Sequence, residues 1–182
     1  MKYFQVVIEM ALLASSTLIA ITLLVVIPFT LADAKFISEV CDGISDRPDC
    51  VEVLSSDPRS VNATTREELQ SISLDICTAA AREGEKTCEE EKAKHEHERD
   101  EKLGLALNMC SSEYNQAGHT LENARTDFGN HAYNEAARKI GEASLAADNC
   151  EKVFYNQGAN NVMKQMNKKM YDRCDICWQL IF

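Results

Sequence analysis

An all-α chain, an up-and-down four-helix bundle preceded by a short α-hairpin, is the fold class the sequence predicts, and three observations predict it. All three prolines, Pro28, Pro48 and Pro58, fall before residue 60, so nothing downstream interrupts a helix. From residue 64 onward apolar residues return at intervals of three and four, the period of a helix that buries one face. No run of alternating β-branched residues offers a strand.

The first segment, Met1 to about Ala34, reads as a secretory signal peptide. Lys2 supplies the positive start, Ala11 to Ile27 the apolar centre, and Ala32-Asp33-Ala34 a small-x-small cleavage site. The apolar stretch is nearly long enough to cross a bilayer, so a retained anchor on a membrane-bound helical interaction module is the alternative. Cleavage removes one positive and two negative side chains and moves the net charge from −10 to −9. An acidic chain does not bind nucleic acid by neutralising phosphates, is repelled by acidic polysaccharides, and attracts a basic protein.

Residues 35–62 form the predicted α-hairpin, two short helical pieces joined around Gly43 to Pro48 and ended at Asp57-Pro58. Residues 63–182 form the predicted bundle. Its first helix starts where Thr64 and Thr65 stand three residues before Glu67 and Glu68, a capping-box pattern, and carries Leu69, Ile72, Ile76 and Ala80 on one face. Asp100 is the N-cap of the second, with Leu107, Cys110, Tyr114, Ala117, Leu121, Ala124 and Phe128 inward and Gly129-Asn130 as its stop. Ala136, Ile140, Ala143, Ala147, Cys150 and Phe154 make the stripe of the third. Beyond Gly158, the fourth buries Val162, Met166, Met170, Cys174, either Cys177 or Trp178, and Ile181. Between Glu83 and Lys102 stand nine acidic and five basic residues, and the core positions expected after Ala80 fall on Glu83, Thr87, Glu90 or Glu91, and Lys94. The expectation there is a solvated, ion-paired helix projecting past the bundle.

Chemistry-bearing motifs are few. No nucleophile elbow, phosphate loop, HExxH or dinucleotide fingerprint occurs, and the acidic residues spread over helix faces, so no catalytic residue and no cofactor are assigned. His95 and His97 are two apart on a helix and point away from each other, which leaves only Glu91 and His95 able to share an ion; a solvated charged face is the preferred reading. Cys174-x-x-Cys177 lacks a second such pair and a βαβ context, and reads as helix core. Asn62-Ala63-Thr64 is an N-glycosylation sequon between hairpin and bundle, with Asn62 as the acceptor. Eight cysteines cannot be paired by spacing alone. Cys77 and Cys88, about 16 Å apart along one helix, cannot bond to each other. For them a bond to Cys177, an intermolecular bond and free thiols all stay open.

Phe36-Ile37-Ser38-Glu39-Val40-Cys41, Leu54-Ser55-Ser56-Asp57-Pro58-Arg59-Ser60 and Cys174-Asp175-Ile176-Cys177 together resemble one family, the plant inhibitors of pectin methylesterase and invertase. The resemblance implies two disulfides, Cys41–Cys50 and Cys110–Cys150, so that the hairpin is disulfide-closed, and an unpaired thiol at Cys174. Cys110 and Cys150 each lie on the core stripe of consecutive antiparallel helices, in agreement with that pairing. Closing the two loops stabilises by roughly 3 and 4 kcal/mol on a chain-entropy basis. An oxidising, secreted setting, the plant apoplast and cell wall, follows.

The resemblance further implies a monomeric enzyme inhibitor that blocks a substrate cleft in a 1:1 steric complex. Tyr133-Asn134-Glu135 stands where invertase inhibitors carry Pro-Lys-Phe, and methylesterase inhibitors often have tyrosine and asparagine there. Pectin methylesterase is therefore the expected partner and cell-wall or vacuolar invertase the alternative. Candidates for the target interface are Ser112, Gln116, His119 and Asn123 on the second helix and Asn149 and Lys152 on the third. Ser112, Gln116 and His119 replace residues often acidic in such inhibitors, and Asn149 and Lys152 also depart from the family pattern.

Overall fold

Six helices and two 3-10 turns account for most of the described chain. The computed structural model describes residues 35–95, 97 and 100–182, and the predicted signal peptide lies outside them. Helix α1 (35–40) runs into a 3-10 turn, Cys41–Gly43, and is followed by α2 (Arg47–Ser55), whose N-cap Asp46 accepts from the Asp49 N–H at 3.3 Å. Pro48 sits in the first turn of α2, where its missing N–H costs nothing. Cys41 and Cys50 are bonded and fully buried. A second 3-10 turn, Pro58–Asn62, leads to the long helices α3 (Arg66–His95), α4 (Glu101–Gly129), α5 (Tyr133–Gln157) and α6 (Lys164–Ile181).

The start of α3 is a reciprocal capping box built on Thr65. Its hydroxyl accepts from the Glu68 N–H at 3.2 Å, while the Glu68 carboxylate accepts from the Thr65 N–H at 3.0 Å and the Thr64 N–H at 2.6 Å. Asp100 caps α4 through Lys102 and Leu103, and Gly158 ends α5 in the left-handed region at φ 62°, where glycine avoids a Cβ clash. The four helices pack in a ring, α3 on α4, α4 on α5, α5 on α6 and α6 back on α3.

Two apolar clusters result. The larger fills the bundle with Leu74, Cys77, Leu107, Tyr114, Leu121, Ile140, Phe154, Met163 and Met170. The smaller lies between the hairpin and the α3–α6 pair: Ile37, Val40, Leu54, Leu69, Ile72, Ile76, Ile176 and Leu180. Helix α3 thus buries two faces, and the stripe read from Leu69, Ile72 and Ile76 is the one beneath the hairpin. Cys177, not Trp178, takes the inward position on α6. The hairpin is also tied to α6 by the Ser45 N–H donating to Gln179 Oε1 at 2.8 Å.

The charged end of α3 departs from the expectation. Its inward stripe steps through Cys77, Ala81, Gly84 and Cys88, all buried, whereas Glu83 is exposed and pairs with Lys169 of α6. The stripe continues from Ala81 rather than from Ala80, which moves the charged residues off the core. Helices α3 and α4 span 30 and 29 residues, so the segment does not overshoot its neighbour. It is laced to α4 by Lys92 to Asn108 (2.9 Å), Ser111 to Glu89 (3.1 Å) and Asn115 to Glu85 (2.9 Å).

A buried polar chain fixes the other side of the bundle. Tyr114 Oη donates to Asn167 Oδ1 at 2.7 Å, and Asn167 Nδ2 donates to Glu151 Oε1 at 3.0 Å, joining α4, α6 and α5. Every buried member has a partner, so the chain specifies one packing of three helices.

Candidate interaction surface

Cys110 and Cys150 are bonded, with Cα atoms 4.8 Å apart, and clamp the N-terminal third of α4 to the C-terminal third of α5. Ala117, Ala143 and Ala146 are small enough to let the two helices approach closely, and they floor an open groove of about 370 Å³. Glu113, Gln116, Thr120, Glu142, Leu145 and Asn149 rim it. Asn149 Nδ2 donates to Glu113 Oε2 at 2.8 Å across the groove, and Arg138, one turn earlier on α5, pairs with Glu142 at the rim. Leu145 is about half exposed at 52%. Backbone on both sides is held by covalent and close-packed contacts, so the groove is a rigid relief of mixed polar and apolar groups.

Of the six residues expected from the sequence, the structure brings Gln116 and Asn149 together in this groove. Ser112, His119 and Asn123 are exposed on α4, at helical spacing from Gln116, and His119 Nδ1 lies 3.5 Å from Glu122. Lys152 is exposed on α5 and does not line the groove. Glu113, Thr120, Glu142 and Leu145 were not anticipated. Their signal was present, because each flanks a small core residue of α4 or α5 at one, three or four positions.

Tyr133 does not present itself as a free recognition residue. Its hydroxyl lies 2.7 Å from His131 Nδ1 and donates to Glu67 at 3.2 Å, and its ring packs edge-on against Phe128 at 5.4 Å. It fastens the α4–α5 turn to the first turn of α3.

The Asp57-Pro58-Arg59 string likewise proves structural. Asp57 caps the 3-10 turn by accepting from the Arg59 N–H at 2.9 Å and also takes the Arg59 guanidinium through both oxygens. Arg59 reaches Asp75 of α3 at 2.8 Å, and Asp75 is shared with Arg125 of α4. The bidentate Arg59 hydrogen bonds hold the Asp57 carboxyl below its ordinary range, with slight burial opposing. Asn62, the sequon residue, is exposed at the end of this turn.

Cysteine pairing differs from the expectation at one place. Cys174 is not a free thiol: it is bonded to Cys77, Cα to Cα 5.0 Å, joining α3 to α6. Cys77 lies on the inward stripe of α3 at the level of Cys174, within bridging range, whereas Cys177 is one turn further along and faces Ser73. The free cysteines among the described residues are Cys88 and Cys177, both buried. Burial pushes both thiols up to about 12, so neither is a nucleophile in the folded state. Among the described residues no group of three or more His, Cys, Asp and Glu side chains is placed to hold a metal ion; His95 Nε2 and Glu91 Oε2 stand 3.7 Å apart.

A family model described as "Plant invertase/pectin methylesterase inhibitor" matches residues 35–180. A curated relative from Actinidia deliciosa, named "Pectinesterase inhibitor", is 29% identical over 152 residues, 82% of this chain and 79% of that one. A crystal structure of a mutant form of a pectin methylesterase inhibitor from Arabidopsis superposes with a TM-score of 0.65 at 20% identity, covering 80% of this chain and 94% of its own. Another such inhibitor from Arabidopsis thaliana gives 0.56 at 19% identity, covering 81% and 94%. These structures share the helical fold, and the chain belongs to the plant invertase/pectin methylesterase inhibitor family.

Proposed function

We propose that the protein is a secreted inhibitor of pectin methylesterase that lays the α4–α5 face across the enzyme's substrate cleft in a 1:1 complex. The observation that carries this reading is the stapled groove holding Gln116 and Asn149 on two rigid helices, with Ser112, His119 and Asn123 alongside on α4. Rigid, mixed-polarity relief suits steric blocking, because little conformational entropy is lost when it docks. The net charge of the full chain, −10, becomes −9 once residues 1–34 are removed, and it favours encounter with a basic enzyme surface. The name of the Actinidia relative supports the choice of enzyme. The family description also names invertase, which makes invertase the second reading. In this reading residues 1–34 are removed on secretion, Asn62 accepts a glycan in the secreted protein, and the inhibitor acts as a monomer.

Paired assays with the mature oxidised protein, against plant pectin methylesterase and against cell-wall and vacuolar invertase, test it. Inhibition of the methylesterase alone is the expected result. Inhibition of invertase alone replaces the target, and inhibition of neither removes the inhibitory function while leaving the fold.

A further inference from the structure

The charge-rich end of α3 places a spare thiol at the level of the bond that clamps α4 to α5. Gly84 lies against the ring of Tyr114, which fixes the antiparallel register of α3 and α4. One turn further along α3 is Cys88, and one turn back along α4 is Cys110. Cross-links on either side keep the same register, Glu85 to Asn115, Glu89 to Ser111 and Lys92 to Asn108. Cys88, Cys110 and Cys150 all belong to the bundle core, and Cys88 Sγ rests 3.9 Å from Met163 Sδ. The apolar anchoring of α3 thins at this point. After Cys88 no residue of α3 is buried: its ties to α4 there are the surface hydrogen bonds Ser111 to Glu89 and Lys92 to Asn108, and ion pairs such as Lys86–Glu90 and Lys94–Glu91 lie within the helix itself. Such pairs contribute little each. A terminal stretch held this way is the kind of unit that opens without the rest of the fold.

We propose that Cys88 is a resident exchange thiol for the Cys110–Cys150 bond. When the end of α3 opens, Cys88 gives its proton to solvent and its thiolate attacks Cys110 Sγ. A Cys88–Cys110 bond forms, the Cys110–Cys150 bond breaks, and Cys150 leaves as a thiolate that takes up a proton. Oxidation state is unchanged, and no external oxidant or reductant is consumed. The clamp passes from the α4–α5 pair to the α3–α4 pair, which unfastens the face assigned above to target binding. Only that last consequence rests on the inhibitory reading.

Non-reducing peptide mapping tests the exchange without any inhibition assay. The oxidised protein is held at pH 8.5 below its unfolding transition, sampled over hours, acid-quenched and alkylated. The expected result is a growing Cys88–Cys110 peptide with Cys150 alkylated in step, absent from Cys88→Ser and from Cys88→Ala. Native-state alkylation of Cys88 runs at least tenfold faster than that of Cys177, which has no such weakly held end. Persistence of Cys110–Cys150 as the sole pairing overturns the proposal. So does equal labelling of the two thiols, which marks global unfolding. If the exchanged form accumulates yet inhibits its enzyme normally, the exchange stands and its link to the binding face falls.

Discussion

Gly84 of α3 meets Tyr114 of α4 so closely that a Cβ at residue 84 would overlap Cδ1, Cε1 and Cγ of the ring. The ring is fully buried and its hydroxyl is held by Asn167, so it cannot swing aside without breaking the chain to Glu151. Gly84→Ala is therefore expected to destabilise, although alanine favours a helix interior by about 1 kcal/mol. Overpacking of this kind costs about 1–3 kcal/mol, so the net loss is expected at up to about 2 kcal/mol. Urea unfolding monitored by circular dichroism measures it; a more stable variant would mean that the ring relocates freely.

That pairing also shows where the sequence was legible and where it was not. The stripes of α4 and α5 are legible residue by residue because each helix buries one face, and a single period of three and four describes it. Helix α3 buries one face under the hairpin and another in the bundle, so its two stripes interleave. The period of Ile72, Ile76 and Ala80, continued forward, falls on Glu83 and Thr87, while the bundle stripe runs through Ala81, Gly84 and Cys88. A glycine scores as a poor helix residue in any one-dimensional reading, and only the neighbouring ring explains it. The Cys77–Cys174 bond escaped for a related reason: it depends on the level at which α3 and α6 meet, 97 residues apart in sequence. The groove was half legible. Gln116 and Asn149 were expected at a common face, whereas their rim partners depend on how closely alanines let α4 and α5 approach.

Asp57 gives the acid limb of the stability curve a specific source. Its folded-state pKa is lowered, chiefly by the Arg59 guanidinium, so its contribution is fully present above the unfolded value near 3.8 and is lost as pH falls through the folded value. The network is thus intact at the mildly acidic pH of a plant cell wall and weakens only below about pH 4. Asp57→Asn should lower the urea midpoint at pH 6, with the difference from the parent shrinking as the pH falls below about 4. A difference that is independent of pH would assign the loss to the cap geometry rather than to the charge.

Ser60, at the end of the same motif, is 1% exposed, and its hydroxyl has no hydrogen-bond partner among the described residues. An unsatisfied buried hydroxyl costs about 1–3 kcal/mol. Ser60→Ala removes it with little change of volume and should be neutral or stabilising, by up to about 1 kcal/mol in the same assay. A clear loss of stability would show that the hydroxyl is satisfied in solution.

The Cys77–Cys174 bond closes nearly the whole bundle between its first and last helices. Closing a loop of that length is worth about 4–5 kcal/mol by chain entropy. Cys77→Ala combined with Cys174→Ala should retain the helical spectrum, unfold at markedly lower denaturant and keep Cys41–Cys50 and Cys110–Cys150 on peptide mapping. Unchanged stability would mean that α3 and α6 stay associated in the unfolded ensemble without the bond.

Gln116 offers the sharpest separation of binding from folding, because it rims the groove with an exposed side chain and none of its side-chain atoms is needed by the core. Gln116→Arg lays a long cation along a rim that otherwise carries Glu113, Glu142, Asn149 and Leu145. Against a basic enzyme surface that charge is repulsive, and the added length holds the two bodies apart. Inhibition of pectin methylesterase should weaken at least tenfold, equivalent to about 1.4 kcal/mol, with the melting temperature unchanged. Lys152→Glu, outside the groove, serves as the contrast and should alter inhibition less than threefold. If Lys152→Glu weakens inhibition and Gln116→Arg does not, the contact lies on the outer side of α5 and the groove is merely the seam between two helices.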